Sequence, residues 1–232
     1  LYMYCKVRTR AVFAAVVLIG YSLLMYLVVA PDAPDGTDPL SVAGNIAGWV
    51  DRQWLPGTFA CGSFDPEGLL STLPAIVSAL FGMFTGEFLL RKRSSLSGEQ
   101  IALCMALAAV AITVIGIIWN CWIPINKKLW SSSFTCVVTG YSLGMFALFY
   151  YIIDVRQWRR WSYFFQVIGL NSITIYMLQR IVRVSYTSEF FFGGLASKFS
   201  PEVASVIFSA GYITVCWLLL RFLDRKKIYL KV

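Results

Sequence analysis

The chain has 232 residues, of which 58% are hydrophobic and only 14% are charged, and its mean hydropathy is +0.69. Soluble proteins normally carry about 25% charged residues, so this composition excludes an ordinary soluble domain. The net charge of +8 would suit a nucleic-acid-binding protein, but the basic residues are confined to alternate loops between apolar segments. That arrangement excludes a continuous basic surface. The lipid bilayer is therefore an expected partner, and nucleic acid is not.

Six apolar segments follow one another along the chain, and each is long enough to cross a hydrocarbon core of ~30 Å as a helix. Because lipid offers no hydrogen bonds, each segment must satisfy its own backbone, which favours helices. The predicted fold is therefore all-α, a polytopic transmembrane helical bundle forming a single transmembrane domain over residues 1–232. The predicted spans are about 11–29, 68–90, 101–119, 134–153, 161–182 and 203–223, with a long outer loop at 30–66.

The charges of the loops predict an orientation with both termini in the cytoplasm. Acidic residues concentrate in the loops of one side, and basic residues in four successive segments of the other, as the positive-inside rule requires. The first span, with its basic start, imitates a signal peptide, but it is too long and Ala30-Pro31 is a poor cleavage site. Fourteen of the 20 basic residues fall on the predicted cytoplasmic side: Lys6, Arg8, Arg10, Arg91, Lys92, Arg93, Arg156, Arg159, Arg160, Arg221, Arg225, Lys226, Lys227 and Lys231.

Two segments of the outer side carry recognisable patterns. In the loop 30–66, Val42, Ile46, Trp49 and Val50 recur at helical spacing. They predict a short amphipathic helix at the membrane interface, or alternatively a lid over an outward-facing site. Span two then opens with Asp65-Pro-Glu-Gly68, in which Asp is a good N-cap and Pro suits the first turn.

Span two also carries two features that concern helix contacts. Gly82-x-x-x-Gly86 is a small-residue face suited to close packing against another helix. Glu87 stands four residues before Arg91, which predicts an ion pair along the helix.

Polar residues also stand out in the loop 124–131 and inside span five. Asn126, Lys127 and Trp130 lie together between spans three and four; as the alternative, the lysine is merely solvated and the Trp belongs to the interfacial aromatic belt. Asn171 and Tyr176 are at membrane depth, where polar side chains face either a cavity or a hydrogen-bonding partner helix.

The chain contains no histidine, and its six cysteines form no CxxC pair. A Cys/His zinc site is therefore excluded, no metal is expected, and no histidine of this chain can act as a catalytic base. Cys61 and Cys121 both fall on the predicted outer side. A disulfide between them and two free thiols both remain open.

Four segments, in their order and spacing, resemble the heparan-alpha-glucosaminide N-acetyltransferase family and its bacterial relatives. They are Asp65-Pro-Glu-Gly-Leu-Leu-Ser-Thr-Leu-Pro-Ala-Ile76, Ile125-Asn-Lys-Lys-Leu-Trp-Ser131, Gly169-Leu-Asn-Ser-Ile-Thr-Ile-Tyr176 and Asp224-Arg-Lys-Lys-Ile-Tyr-Leu-Lys231. The resemblance implies an enzyme that takes acetyl from cytoplasmic acetyl-CoA and delivers it to an amino sugar across the membrane.

The resemblance further implies that the chain is the C-terminal half of a unit of about eleven spans, in a bacterial inner membrane. Its partners would be the upstream spans of the same protein, the amino-sugar acceptor and, in a homo-oligomer, a second copy of itself. The histidine that the family uses in catalysis lies upstream, so this chain has no catalytic residue and is expected to be inactive alone. Gln179 stands where the animal enzyme has a histidine, which leaves the role of that position open.

Candidate site residues follow from the resemblance and from charge. Asp65 and Glu67, at the outer mouth, are expected to hold a cationic amino sugar. Basic residues at the cytoplasmic end are expected to bind the CoA phosphates, or alternatively serve only as topology signals. The residues expected to bind substrate or line its passage are Asp65, Glu67, Asn126, Lys127, Trp130, Asn171 and Tyr176, and the expected CoA-phosphate ligands are Arg225, Lys226, Lys227 and Lys231.

Two other functions remain open on the sequence. Polar residues at membrane depth also mark sugar or amino-sugar permeases. The second open function is a helical scaffold without catalytic activity, which would need no polar residues at membrane depth. A permease would be expected to show paired broken helices in two related halves, whereas only span five is polar at depth.

Overall fold

The computed structural model describes residues 4–57, 59 and 61–230. Throughout this part the fold is helical, with a single isolated β-bridge between Val29 and Asn45. The chain divides into two compact units, Leu1–Arg156 and Gln157–Val232. The predicted all-α class is confirmed, and the molecule is an integral membrane protein.

The described part of unit one is built on four long helices and one short one. Its core lies between α1, α3 and α5, where Ala14, Leu18, Val77, Leu80 and Cys136 pack together. Helix α4 lies alongside α5. The helices are α1 (Val7–Leu27), α2 (Ile46–Trp54), α3 (Thr72–Lys92), α4 (Gly98–Trp119) and α5 (Ser132–Tyr150), the last continuing as a π-helical turn over Tyr151–Val155.

Unit two contains α6 (Ser162–Leu170), α7 (Ser172–Ile181), α8 (Val184–Ala196) and α9 (Pro201–Arg225). Helix α6 is held on α9 by two aromatic rings. The ring of Phe164 stacks on that of Trp217, with centroids 5.5 Å apart, and the Trp217 indole N–H donates to the Phe164 carbonyl at 3.3 Å. Helix α8 packs on α9 at Gly211, where a Cβ would come within 2.5 Å of the Phe192 ring.

Five helices in the described residues are long and apolar enough to cross a membrane, namely Val7–Leu27, Thr72–Lys92, Gly98–Trp119, Ser132–Val155 and Pro201–Arg225. They coincide with five of the six predicted spans to within a few residues. The surface of α4 suits lipid, since Leu103, Leu107 and Val110 are all more than half exposed on it. The orientation with both termini cytoplasmic stays a prediction.

The predicted span 161–182 is not one helix but two, α6 and α7, which meet at Asn171. The Asn171 side-chain amide donates to the Val167 carbonyl at 3.1 Å, and its backbone N–H donates instead to Ile168, 3.1 Å away. The side chain thus takes the carbonyl that would continue the helix, which is how Asn ends helices. The break could not be predicted from the sequence, because the residues on both sides of Asn171 are mostly apolar.

The start of α3 also differs from the sequence prediction. The helix begins at Thr72, with Ser71 as its N-cap, so Asp65 does not cap it. The short interfacial helix is present as α2, where Asn45 accepts from the Gly48 N–H at 2.5 Å as a side-chain cap. Gly82 and Gly86 face open space, because a Cβ at either would meet no described atom within 4 Å.

Candidate functional site

The described residues of the ranges 28–71 and 120–131 cover the same end of unit one and are here called the loop cap. Apolar side chains from both segments pack around the last turns of α1 in one cluster that includes Met25, Ile46, Leu70 and Leu129. The Tyr21 hydroxyl donates to the Leu129 carbonyl at 2.6 Å. The loop cap thus brings the motifs at 65–68 and 125–131 to one end of the bundle.

Asp51 is the buried centre of the first motif. Its carboxylate, on a residue only 1% exposed, accepts from the backbone N–H groups of Leu69 at 3.0 Å and Asp65 at 3.4 Å. These donors replace the water that a buried carboxylate loses. Gly68 lies directly on the carboxylate, and a Cβ there would overlap it. The motif is therefore folded around Asp51.

The two carboxylates predicted at the outer mouth have different roles. Asp65 accepts from the Glu67 N–H at 2.9 Å, an Asx turn that shapes its own loop. Glu67 is exposed and forms no ion pair among the described residues. Of the two, Glu67 is the carboxylate available to a cationic ligand.

The motif 125–131 forms a tight turn that starts α5. Asn126 accepts from the Lys128 N–H at 2.9 Å, and the Ser131 hydroxyl accepts from Asn126 at 3.1 Å and from Phe134 at 3.3 Å as the cap of α5. Trp130 adopts φ +49° and packs its ring edge-to-face on Phe134, 5.7 Å away. Asn126 and Trp130 are thus structural parts of the turn, while Lys127 is exposed to solvent.

Asn171 and Tyr176 lie in unit two. Asn171 is 1% exposed, and its side-chain oxygen has no hydrogen-bond partner in the described part of the chain. Tyr176 is 62% exposed, with the Arg180 guanidinium 5.8 Å from its ring centroid. Asn171 therefore combines a helix break with an open acceptor, the feature expected of a residue beside a polar passage.

The basic residues after α9 sit on a fixed turn. Asp224 accepts from the Tyr229 hydroxyl at 2.9 Å and from the Tyr163 hydroxyl at 3.2 Å. The hydrogen bond to Asp224 raises the pKa of Tyr229 above its ordinary value, because the carboxylate accepts from the protonated phenol and would repel the phenolate.

Lys227 adopts φ +56°, the left-handed conformation that closes a helix, and Ile228 donates back to Leu223 at 3.0 Å. Arg225, Lys226 and Lys227 are all exposed on this turn. The fourth predicted phosphate ligand, Lys231, lies outside the described residues.

Two groups of residues were missed by sequence reasoning. The first is an ion pair: Arg10, 3% exposed, contacts both oxygens of Glu87 at 3.0 Å, and Arg91 contacts the same carboxylate at 3.2 Å. Only the Glu87–Arg91 pair was predicted, and it is confirmed. Arg10 looked like a topology signal because its partner is 77 residues away.

The second is a cavity of about 490 Å³ between α8 and α9, lined by Ser185, Ser188, Glu189, Phe208, Ser209 and Tyr212. The spacing of Ser185, Ser188 and Glu189 places them on one face of a helix. That pattern was visible in the sequence, but α8 itself was not predicted.

The six cysteines are all free thiols, including Cys61 and Cys121, so no disulfide joins these two.

No protein-family model matches the chain. Human heparan-alpha-glucosaminide N-acetyltransferase is 25% identical over 206 residues, covering 82% of this chain and 30% of that protein. The mouse protein of the same name is 24% identical over the same coverage. The chain is a family-level relative of the heparan-alpha-glucosaminide N-acetyltransferases.

The chain spans about a third of the length of these N-acetyltransferases, 30% in both species. The family resemblance predicted from the four segments is confirmed. The similarity reaches over most of the chain, not one motif alone, and so includes both units. The site residues themselves stay predictions.

Proposed function

We propose that this chain is part of a membrane-bound acetyltransferase that passes acetyl from cytoplasmic acetyl-CoA to an amino sugar on the other side of the membrane. The observation that carries the proposal is the similarity to the human and mouse N-acetyltransferases over 82% of the chain. Five apolar helices of spanning length supply the membrane setting. The bilayer proposed is a bacterial inner membrane, with both termini cytoplasmic.

The reaction is an acyl transfer. The free amine of the sugar attacks the thioester carbonyl, the C–S bond breaks, an amide C–N bond forms, and CoA leaves as the thiol while the amine loses its proton. The base for that proton is not a histidine of this chain. This chain contributes binding. In unit one, Glu67 is proposed to hold the cationic acceptor, and the exposed Lys127 is proposed to contact substrate. In unit two, Asn171 and Tyr176 are proposed to line a polar passage.

Acetyl transfer by the full-length protein tests the proposal. With acetyl-labelled acetyl-CoA and glucosamine, we expect labelled N-acetylglucosamine and free CoA in equal amounts. N-acetylglucosamine is the matched control acceptor, since its nitrogen is already acylated and it should accept no label. Release of CoA without acetylated sugar would contradict the proposal.

A permease for amino sugars is the second candidate. The break between α6 and α7 at buried Asn171 favours it, because discontinuous helices line the substrate sites of many transporters. A paired break is not present among the described helices of unit one. Uptake of labelled glucosamine into proteoliposomes in unacetylated form, independent of acetyl-CoA, would favour the permease.

The basic turn after α9 is the proposed binding site for the CoA phosphates. Arg225, Lys226 and Lys227 are exposed there, and Asp224 with its two tyrosines fixes the backbone that carries them. Cations at a helix C-terminus also complement the helix dipole. This effect alone would be enough to explain why basic residues are found there. Lys231 is included in the proposal on charge and sequence position.

The double variant Lys226→Gln with Lys227→Asn is expected to weaken CoA binding about fivefold to twentyfold, since each exposed charge contributes on the order of 1 kcal/mol or less. Asn is chosen at 227 because it tolerates the left-handed conformation. Binding is measured by calorimetry at two salt concentrations, and the salt dependence should fall in the variant. The control is Lys128→Asn, on the loop cap. Unchanged affinity and salt dependence would leave these lysines as topology signals.

A further inference from the structure

The cavity between α8 and α9 is open to the surface, and five of its six lining residues carry a hydrogen-bonding side chain. Ser185, Ser209 and Tyr212 bring hydroxyls and Glu189 a carboxylate, while Phe208 supplies an aromatic face. Its volume of about 490 Å³ falls within the roughly 300–1,000 Å³ typical of small-molecule sites. Along a membrane-spanning helix such as α9, polar groups on facing helices need a ligand, water or each other as partners.

Some side chains of the cavity wall are held by contacts within the protein, and others are exposed. Ser188, 2% exposed, donates to the Phe208 carbonyl at 3.3 Å and ties α8 to α9. Glu189 and Ser185 are exposed, and Glu189 forms no ion pair within the described residues.

The position of the cavity along α9 places it on the predicted outer side. Ser209 and Tyr212 stand 8 and 11 residues after Pro201, or roughly 12 and 17 Å along a helix axis. Under the predicted orientation this is the outer half of the span, opposite to the cytoplasmic supply of acetyl-CoA.

We infer that the α8–α9 cavity binds a hexosamine, with the ammonium group on Glu189, ring hydroxyls on Ser185, Ser209 and Tyr212, and the apolar face of the sugar against Phe208. One carboxylate suits one ammonium, several hydroxyls suit a polyol, and an aromatic ring suits the C–H face of a pyranose. The inference rests on the proposed function for the role of the sugar as acceptor, but the cavity is a different place from the predicted outer mouth at Asp65 and Glu67. A phosphatidylethanolamine headgroup shares the ammonium but lacks the ring of hydroxyls.

Binding is measured by calorimetry on the full-length protein in phosphatidylcholine nanodiscs without acetyl-CoA, using glucosamine, N-acetylglucosamine and ethanolamine. Wild type is expected to prefer glucosamine to both others. Glu189→Gln should weaken glucosamine binding about twofold to fivefold, because it removes the carboxylate that pairs with the ammonium. Binding of N-acetylglucosamine, which has no ammonium, should be unchanged. Ser209→Ala should weaken both sugars about twofold to fivefold.

The matched control is Glu202→Gln, since Glu202 is also an exposed glutamate, in the first turn of α9, but does not line the cavity. It should bind glucosamine as wild type does. Elution of every variant as one symmetric peak in size exclusion confirms folding. Equal effects of Glu189→Gln and Glu202→Gln, or ethanolamine binding as tightly as glucosamine, would overturn the inference.

A second measurement does not depend on variants that alter charge. Ser185→Cys, in a background lacking the native cysteines of the predicted outer side, is labelled with an impermeant maleimide. Saturating glucosamine should slow the labelling at least threefold, and equal rates with and without it would overturn the inference. Because neither test uses acetyl-CoA, they can fail while acetyl transfer is retained, and succeed where acetyl transfer is absent.

Discussion

Glu87→Gln is expected to lower the free energy of unfolding by roughly 3 kcal/mol, because it leaves the Arg10 guanidinium buried without its counter-ion. Arg10 is 3% exposed and both oxygens of Glu87 lie 3.0 Å from the same nitrogen. The pair joins α1 to α3 at the end of unit one opposite to the loop cap. Unfolding by SDS titration in mixed micelles, followed by circular dichroism, gives the free energy.

Arg91→Gln is the matched control, since Arg91 contacts the same carboxylate but its side chain is 66% exposed. An exposed i,i+4 pair contributes about 0.3–0.5 kcal/mol, so this variant should unfold almost as wild type does. Similar losses of unfolding free energy in Glu87→Gln and Arg91→Gln would contradict a large contribution of the buried Arg10–Glu87 pair to stability. Replacing both partners, Arg10→Leu with Glu87→Leu, should restore much of the stability.

Gly140→Ala is expected to destabilise the protein by about 2 kcal/mol, since overpacking of a tight contact costs about 1–3 kcal/mol. A Cβ at Gly140 would lie 2.7 Å from the Ala109 carbonyl oxygen and 2.8 Å from the Thr113 backbone nitrogen of α4. Backbone atoms cannot swing aside as the end of a side chain can, so α4 and α5 must move apart. Gly116→Ala, on the α4 side, should act in the same direction, with a Cβ 2.8 Å from the Val137 nitrogen.

Gly20→Ala serves as the control for the change in composition alone. A Cβ at Gly20 meets no described atom within 4 Å, and alanine is the better helix former. The same SDS titration should show no loss for this variant. An equal loss at 20 and 140 would argue that glycine flexibility matters, and not the close approach of α4 and α5.

The spans of unit one could be predicted because each is set by local composition. Length, apolar runs and flanking charges place α1, α3, α4 and α5 to within a few residues of their observed ends. Composition also identified the polar stretch around Asn171, but not that Asn171 ends a helix there. Apolar residues on both sides look the same whether or not the backbone continues, and the deciding hydrogen bond is made by a single side chain.

The close helix contact in unit one was misplaced for a related reason. The sequence favoured Gly82 and Gly86, which carry the small-residue spacing, whereas the tight contact is made by Gly116 and Gly140 on α4 and α5. Spacing within one helix does not say which face meets a neighbour. The same limit hid the α8–α9 cavity, because its polar residues come from two helices.

The burial of Asp51 beneath Gly68 has a consequence for how related sequences can vary. Gly68 belongs to the short motif at 65–68. The group that leaves no room for a side chain at position 68 is the carboxylate of Asp51, 17 positions upstream. A homologue that carries alanine or serine at 68 must have lost the acid at 51 or shifted its loop. The two positions should therefore change together through evolution, as a correlated pair that neither motif would reveal when aligned by itself.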